Sequence, residues 1–249
     1  KPGIYLEDLF VLPEFRRKGI GKAILTYLAQ LAISRSCGRL EWSVLDWNKP
    51  AIAFYRGLGA SILENNRICR VSGNSLTQLA NGVSSPILRA AQPADLAVLC
   101  RLIQQKAHFD GKSNTLELNP EALNAHLFGS PTYAETVLAE QAGQTVGFAV
   151  FLHNYSTFLT KPGLYLDDLF IVPEYRRQGI GKAFLTYLAQ LAVKRNCGRV
   201  EWLVGIWNKP AIAFYESMGA SVLPDWRICR VAGDSLTQLA VEKSSSAIG

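Results

Sequence analysis

The sequence holds few of the side chains that bind metal ions or build disulfide frameworks. It has three histidines, scattered without metal-ligand spacing, and five cysteines, an odd number with no C-x-x-C pair. No metal site is therefore expected. The cysteines are expected to be buried free thiols in a reducing compartment, which favours a cytoplasmic protein.

Long apolar runs are also missing. No run reaches the ~20 residues of a membrane span, and the chain does not open with a signal-peptide pattern, so no membrane partner is expected. The net charge is +6, with 18% charged residues. Many of the basic residues surround two glycine turns described below, so the basic balance does not predict nucleic-acid binding.

Residues 1–80 of the sequence repeat as residues 161–240. The two segments align without a gap at a constant offset of 160, and 57 of the 80 positions are identical. Residues 86–160 have no counterpart before residue 1, so we predict a half domain over 1–80, a polar linker over 81–85 and a complete domain over 86–244. Because the chain opens with Lys1 and Met218 is its only methionine, it is expected to be a clipped piece of a longer tandem protein.

A glycine turn follows an apolar, β-rich run in each copy. In the complete copy the run is Leu164 to Val172 and the turn is Pro173 to Lys182, and residues 13–22 have the same form. A strand, a turn and a helix in this order present unpartnered backbone N–H groups near the positive end of the helix dipole. Glycines and basic side chains make such a turn suitable for a pyrophosphate. A bare G-x-G is equally typical of a tight turn before a core helix, and the spacing is neither that of a P-loop nor that of a Rossmann fingerprint.

Apolar periodicity and turn residues predict the order β-α-α-β-β-β-α-β-α-β-β over residues 86–244. The first helix is expected to open at Pro93 and to run to about Lys106, and the second to run from Asn119 to about Phe128. The helix after the glycine turn is expected to end near Lys194. The half copy then supplies the last six elements, from the central strand to the final hairpin.

Several separated motifs follow one another in this order. They are Tyr165-Leu166-Asp167-Asp168-Leu169-Phe170, Arg176-x-x-Gly179-x-Gly181, Trp207-Asn208-x-Pro210, and Ala213-Phe214-Tyr215 followed by Gly219-Ala220. Together they resemble the GNAT superfamily of N-acetyltransferases, most closely its diamine (spermidine/spermine) branch. The resemblance implies an α/β (α+β) fold in which a mixed, strongly twisted sheet is flanked by helices, present as one complete copy and a C-terminal half copy.

The resemblance also implies acetyl-CoA as co-substrate. Backbone N–H groups of the central strand would bind the thioester carbonyl, the turn would bind the pyrophosphate, and an asparagine would contact the pantetheine arm. The alternative for the asparagine is capping of the following helix. The residues concerned are Leu169, Phe170, Ile171, Arg176, Arg177, Gln178, Gly179, Ile180, Gly181, Lys182 and Asn208 in the complete copy, and Leu9, Phe10, Val11, Arg16, Arg17, Lys18, Gly19, Ile20, Gly21, Lys22 and Asn48 in the half copy.

Two residue types match the catalytic positions of the family. Tyr215, with Tyr55 as its counterpart, matches the tyrosine that protonates the departing CoA thiolate, and a phenol pKa of ~10 suits that transfer. A tyrosine on an apolar helix face can also be plain core. Asp167 matches the acid that relays the substrate proton through water, with a salt bridge to a neighbouring arginine as the alternative.

Asp110, Asp168 and Trp226 match the substrate side of the family site. Asp167 and Asp168 are adjacent, so they are expected to face opposite sides of the strand. Around Asp110, the residues from Gln104 to Lys106 replace a more acidic stretch, which leaves fewer acids for a polyamine. Trp226 could equally anchor the final hairpin.

These patterns predict an acetyl-CoA-dependent N-acetyltransferase. It would transfer acetyl to the primary amine of a small molecule, a diamine, a polyamine or an amino-acid-like compound, by direct attack in a ternary complex. Two alternatives stay open: the half copy could be a non-catalytic CoA-binding or dimerisation module, or the acceptor could be a protein amine. A homodimer or an intrachain pseudo-dimer of the copies is expected, with neither nucleic acid nor membrane as partner.

Overall fold

A computed structural model describes residues 1–83 and 87–241 as mixed β-sheets with helices between their strands, which confirms the expected α/β class. The strands are β1 (Gly3–Leu6), β2 (Arg39–Leu45), β3 (Ser61–Ile62), β4 (Asn66–Ser72), β5 (Leu88–Ala90), β6 (Glu135–Gln141), β7 (Gln144–Ser156), β8 (Lys161–Ile171), β9 (Arg199–Gly205), β10 (Ser221–Leu223) and β11 (Trp226–Ala232). The α-helices are α1 (Ile20–Ser34), α2 (Lys49–Gly57), α3 (Gly73–Ala80), α4 (Leu96–Phe109), α5 (Pro120–Phe128), α6 (Ile180–Lys194), α7 (Lys209–Ser217) and α8 (Asp234–Val241).

The helices follow the sequence pattern, and side-chain caps mark the start of two of them. A reciprocal capping box between Gln92 and Asp95 precedes α4, and the side chain of Asn119 caps α5 by accepting from the Ala122 amide. The sequence pattern does not predict α3 and α8, because eight residues are too few for a helical period to stand out. The predicted linker 81–85 and the end of the complete copy at 244 lie partly outside the described residues.

The chain forms two compact units, and unit 2 comprises the described residues of Cys69–Leu203 together with Lys209–Val222. Its sheet has the strand order β10-β4-β9-β8-β7-β6-β5. The strands from β5 to β8 are antiparallel, whereas β8 and β9 are parallel, so the sheet is mixed. One part of its core packs α4 and α5 against the sheet through Leu99, Leu102, Leu127, Leu138, Phe148 and Phe170.

Unit 1 comprises Lys1–Ile68, Val204–Asn208 and the described residues from Leu223 onward. Its four-stranded sheet has the order β1-β2-β11-β3, with β1 and β2 parallel and β11 antiparallel to both neighbours. The core joins α1 and α8 to the sheet through residues such as Leu25, Trp42 and Leu236, all at most 4% exposed.

The compact units do not coincide with the sequence copies. Strand β11 and helix α8 of the second copy complete unit 1, whereas the end of β4 and all of α3 from the first copy belong to unit 2. The exchanged strands carry the same five residues, Arg-Ile-Cys-Arg-Val, at 67–71 and 227–231. Because the exchanged elements are nearly identical, either copy can fill either sheet with the same side chains at little cost. The boundaries 1–80 and 86–244 therefore describe copies of the sequence rather than compact units.

Each unit contains one ion pair between the two sequence copies, and the two ion pairs are equivalent. Arg230 Nε lies 2.6 Å from Glu41 Oε1 in unit 1, and Arg70 Nε lies 2.6 Å from Glu201 Oε1 in unit 2. Each pair joins an arginine from one copy to a glutamate from the other. The exchange thus preserves the same partly buried contact in both sheets.

Membrane-spanning helices and metal-binding groups are absent from the described residues. None of their helices combines the length and the apolar character needed to cross a bilayer, and they include no group of three or more His, Cys, Asp or Glu side chains arranged to hold a metal ion. The five cysteines are free thiols.

Candidate active site

The glycine turn of unit 2 ends in the first turn of α6. Arg177 and Gly179 adopt left-handed φ angles of 60° and 83°, and Gly179 is an N-cap that, among the described residues, receives no side-chain cap. Glycine tolerates this φ angle, which strains residues with a Cβ atom. The first amides of α6 have no intrahelical acceptor, so the turn presents N–H donors at the positive end of the helix. The turn of unit 1 has the same form, with φ angles of 58° at Arg17 and 80° at Gly19.

Arg176 lies against aromatic rings at the edge of this turn. Its Nε donates to the carbonyl oxygen of Ile171 at 2.9 Å, and its Cζ atom lies 4.1 Å from the ring centroid of Phe109 and 5.8 Å from that of Phe170. A guanidinium in this position stabilises the turn by a hydrogen bond and a cation–π contact. The sequence predicts Arg176 as an anion ligand, and the structure adds this positioning contact.

The remaining turn residues divide into buried and exposed groups. Ile180 is buried, whereas Arg177 and Lys182 are exposed. The side-chain amide of Gln178 accepts a hydrogen bond from Gln141 at 2.9 Å and donates one to the carbonyl of Glu174 at 3.2 Å. The exposed side chains are therefore the ones that can reach an anion in solvent.

The central strand β8 runs beyond its pairing with β9. In the part of unit 2 that the structure describes, β8 and β9 are paired from Leu164 opposite Val200 to Leu166 opposite Trp202, whereas β8 continues to Ile171. From Asp168 onward β8 keeps its pairing with β7. A strand that loses one neighbour leaves backbone groups along that edge for another ligand. Leu169, Phe170 and Ile171 lie in this segment.

A β-bulge occurs in this strand at Asp167. Leu166 pairs with Phe151 and Asp168 pairs with Val150, which leaves Asp167 as an extra residue between two consecutive pairs. Asp167 is exposed and Asp168 is partly buried. The two carboxylates differ in exposure, but the bulge interrupts the regular strand alternation from which opposite faces were expected.

Asp110 and Asp168 meet at one lysine ammonium. Lys106 Nζ lies 2.7 Å from Asp110 Oδ2 and 3.0 Å from Asp168 Oδ1. Burial raises the pKa of the Asp168 carboxyl although the Lys106 ammonium opposes the shift. Burial also disfavours the charged form of Lys106, but Asp168 and Asp110 outweigh this effect and raise the pKa of the ammonium. The structure thus brings together two predicted substrate residues, and the sequence reasoning missed the lysine between them.

Tyr215 lies on α7 beside Trp202. The two ring centroids are 5.0 Å apart in an edge-on arrangement, and burial, with a smaller contribution from Cys69, raises the pKa of Tyr215 to about 12. Tyr55 of unit 1 repeats this arrangement, with its centroid 5.0 Å from that of Trp42 and its pKa raised by burial. Each phenol therefore keeps its proton at neutral pH.

Two further candidate residues, Trp226 and Asn208, have locations that the sequence copies do not anticipate. Trp226 opens β11 opposite Leu45 and belongs to unit 1, so the structure does not group it in one unit with Asp110 and Asp168. The sequence analysis grouped Trp226 with Asp110 and Asp168 because it assumed that each copy keeps its own last strand. The strand exchange shows that this assumption does not hold. Asn208 also belongs to unit 1, and the Asn48 side chain caps α2 by accepting from the Ala51 amide at 3.3 Å.

Some candidate residues of the half copy, Phe10 and Ile20 among them, are more exposed than their counterparts. Leu9, Phe10 and Val11 follow β1 rather than continuing it. Phe10 is 70% exposed, whereas the equivalent Phe170 is 4% exposed and packs against Phe148 and Phe109. The half copy keeps the turn and the contact of Arg16 with the Phe10 ring, at 5.6 Å from Cζ to centroid, whereas Phe109 and Phe148 cover the equivalent ring in unit 2.

Comparisons with known proteins identify relatives of this chain. A family model described as the acetyltransferase (GNAT) family matches residues 1–60 and 103–220. L-ornithine N5-acetyltransferase NATA1 of Arabidopsis thaliana is 53% identical over 90 residues, which span 36% of this chain and 40% of that protein. Thialysine N-epsilon-acetyltransferase of Sus scrofa is 30% identical over 169 residues, which span 64% of this chain and 99% of that protein.

A solved structure extends the likeness to nearly the whole chain. The tandem GNAT protein from the clavulanic acid biosynthesis pathway has a TM-score of 0.54 at 15% identity, over 93% of this chain and 75% of that one. At this identity the likeness concerns the fold alone. The expected resemblance to amine N-acetyltransferases is confirmed, as is the expected enzyme class, and the family model covers more than half of the sequence. The chain therefore belongs to the acetyltransferase (GNAT) family.

Proposed function

We propose that this chain transfers an acetyl group from acetyl-CoA to the primary amine of a small molecule. The observation that carries the proposal is the arrangement around the end of β8 in unit 2. Three features lie there on consecutive parts of the fold. They are a helix-opening turn suited to an anion, a strand edge that β9 does not pair with, and a carboxylate cluster suited to ammonium groups. Relatives named as acetyltransferases of ornithine and thialysine support an amino-acid-like amine as acceptor.

The residues of unit 2 fit acetyl-CoA. The turn from Arg176 to Lys182 would hold the pyrophosphate through the first amides of α6, because N–H donors and the helix dipole both favour an anion there. Backbone groups of Leu169 to Ile171 would bind the acyl and pantetheine end along the edge that β9 does not cover. When bound, acetyl-CoA supplies an acyl group already activated as a thioester.

Two side chains are proposed to move protons. An amine acceptor must lose a proton from a pKa near ~10 before it can act as a nucleophile. Asp167 is exposed on the bulge and would accept that proton through water. Tyr215 would donate its phenolic proton to the departing thiolate, and its raised pKa of about 12 keeps that proton in place at neutral pH. Direct transfer between two bound substrates needs no acyl-enzyme.

We further propose that the two copies act as an intrachain pair in which unit 1 is the scaffold. The reciprocal exchange of β11 and α8 for β4 and α3 supports the pairing. Phe10, exposed where Phe170 is buried, supports a non-catalytic role for unit 1. The free cysteines are compatible with the cytoplasmic location expected from the sequence.

An acetyl-transfer assay tests the proposal. The purified chain would be incubated with acetyl-CoA and L-ornithine, thialysine, lysine or spermidine, with thiol release followed continuously and the acetylated product identified by mass. The matched control for each amine is its analogue methylated to a tertiary amine at every nitrogen, which keeps the positive charge but cannot form a stable amide. Amine-dependent thiol release with the primary amine alone is expected. Release no faster than the amine-free blank for every primary amine would overturn the proposal.

A further inference from the structure

The Lys106 ammonium has the chemistry of a substrate group. A lysine side chain ends in a primary ammonium on a flexible alkyl stem, as a diamine does. Here that ammonium lies within salt-bridge distance of both Asp110 and Asp168, at 2.7 and 3.0 Å. The three side chains are 24% to 38% exposed, so the cluster is open to solvent. A diamine in solution can therefore reach these carboxylates only in competition with Lys106.

Contacts through Phe109 connect this cluster to the glycine turn. Phe109 directly precedes Asp110 at the end of α4. The centroid of its ring lies 6.4 Å from the Phe170 ring centroid and 4.1 Å from Arg176 Cζ. Asp168 belongs to the same strand segment as Phe170. The lysine and its two acids therefore lie at the end of β8 where the proposed transfer takes place.

Charge and tethering both give Lys106 an advantage over a free amine. The cluster holds two carboxylates and one ammonium, so the lysine halves its negative charge. A group tethered by a short flexible linker has an effective concentration of the order of mM or more, which a soluble polyamine must exceed. A second ammonium brought beside Lys106 would also meet like-charge repulsion in a partly desolvated site. The carboxylates hold Lys106 in its protonated form, in which it is not a nucleophile.

We propose that Lys106 is an internal substitute for the distal ammonium of a diamine and thereby makes the site select acceptors whose distal end carries no net positive charge, such as the zwitterionic end of an amino acid. The inference rests on the proposed function and specifies its acceptor class. It assigns Lys106 the role of a specificity-determining residue whose ammonium must be removed before a diamine can use both Asp110 and Asp168.

The test compares two acceptors that differ only in the distal ammonium, n-butylamine and 1,4-diaminobutane. Lys106→Gln is expected to raise the diamine-to-monoamine ratio of kcat/KM about tenfold, which corresponds to ~1.4 kcal/mol. Lys106→Arg, which keeps the charge, should retain the wild-type ratio. Lys112→Gln is the matched control, because it removes one positive charge from an exposed position just beyond α4. An unchanged ratio in Lys106→Gln would overturn the inference.

A binding measurement separates this inference from the proposed function. Isothermal titration of 1,4-diaminobutane in the absence of acetyl-CoA should give about tenfold tighter binding to Lys106→Gln than to wild type or Lys112→Gln. If no variant transfers acetyl but this tightening occurs, the proposed function fails and only the competition of Lys106 with a bound diamine stands. If transfer occurs but neither ratio nor affinity changes, the role of Lys106 fails alone. Should Lys106→Gln not fold, Lys106→Met removes the same charge and keeps the apolar stem.

Discussion

Two repeated segments of this chain, identical at 57 of 80 positions, lie in different environments. The turns of unit 1 and unit 2 share their left-handed backbone angles, and the tyrosines Tyr55 and Tyr215 share their distance to a tryptophan. Yet Phe10 is 70% exposed and Phe170 is 4% exposed. In unit 2, β7 and α4 cover this phenylalanine, and the described part of unit 1 contains no such helix. Local geometry therefore follows from the segment itself, whereas burial depends on which elements cover it.

The sharpest test of this comparison is truncation of the two phenylalanines. Phe170→Ala should cost ~3–5 kcal/mol of the free energy of unfolding, because it removes a buried ring and leaves a cavity. Phe10→Ala should change it by less than ~0.5 kcal/mol, as expected for an exposed side chain. Urea unfolding of both variants measures the difference. Equal losses would mean that Phe10 is buried in solution and that the two units bury this phenylalanine to a similar extent.

The second test concerns the two tyrosines. Tyr215→Phe should lower kcat by ~10²-fold or more, because it removes a proton donor that acts in the transition state. Tyr55→Phe should leave kcat unchanged if unit 1 is a scaffold. Burial raises the pKa of Tyr215 to about 12, so the phenol keeps its proton as the pH rises past the ordinary tyrosine pKa of ~10. Deprotonation of Tyr215 should therefore cause no loss of rate until the pH approaches the raised pKa. Equal effects of both substitutions would assign catalysis to both copies.

The third test compares the two exchanged ion pairs. Arg70→Ala leaves Glu201, which is 7% exposed, with Arg199 and Asn154 as partners, and Arg230→Ala leaves Glu41, which is 14% exposed. Glu41 keeps Arg39 as a partner, so each substitution removes one hydrogen bond to a charged group, worth ~1.5–3 kcal/mol. We expect Arg70→Ala to lie at the upper end of that range and Arg230→Ala at the lower, because Glu201 is the more buried of the two acids. Urea denaturation measures both. A larger loss for Arg230→Ala would contradict the ranking by burial.

The smallest expected effect concerns the two turn glycines. An added Cβ atom at Gly179 or Gly19 would meet nothing within 4 Å, so the cost of alanine comes from the φ angles of 83° and 80°. We expect ~1–2 kcal/mol in each unit from this backbone strain, seen as similar shifts in thermal unfolding. Only Gly179→Ala should also lower kcat/KM. A loss of activity in Gly19→Ala would show that the turn of unit 1 takes part in catalysis.

The sequence predicts those features that depend on neighbours along the chain. The turn, the start of α6 and the cap of α5 arise from glycine, helix and asparagine preferences acting within a few residues. The pairing of Lys106 with Asp110 could also have been found, because the two are four residues apart on one helix. Its pairing with Asp168 could not, since that contact requires α4 to pack over β8.

The family, the duplicated turn and the candidate tyrosine were determined by the sequence alone, because motif spacing and local backbone preferences encode them. The tertiary structure decided which copy buries its phenylalanine, where Trp226 lies and which unit receives β11. The repeated strands carry the same residues at 67–71 and 227–231, so their local preferences cannot distinguish the two sheets. That choice depends on long-range packing and on how the connected segments reach their partners, which residue spacing does not record.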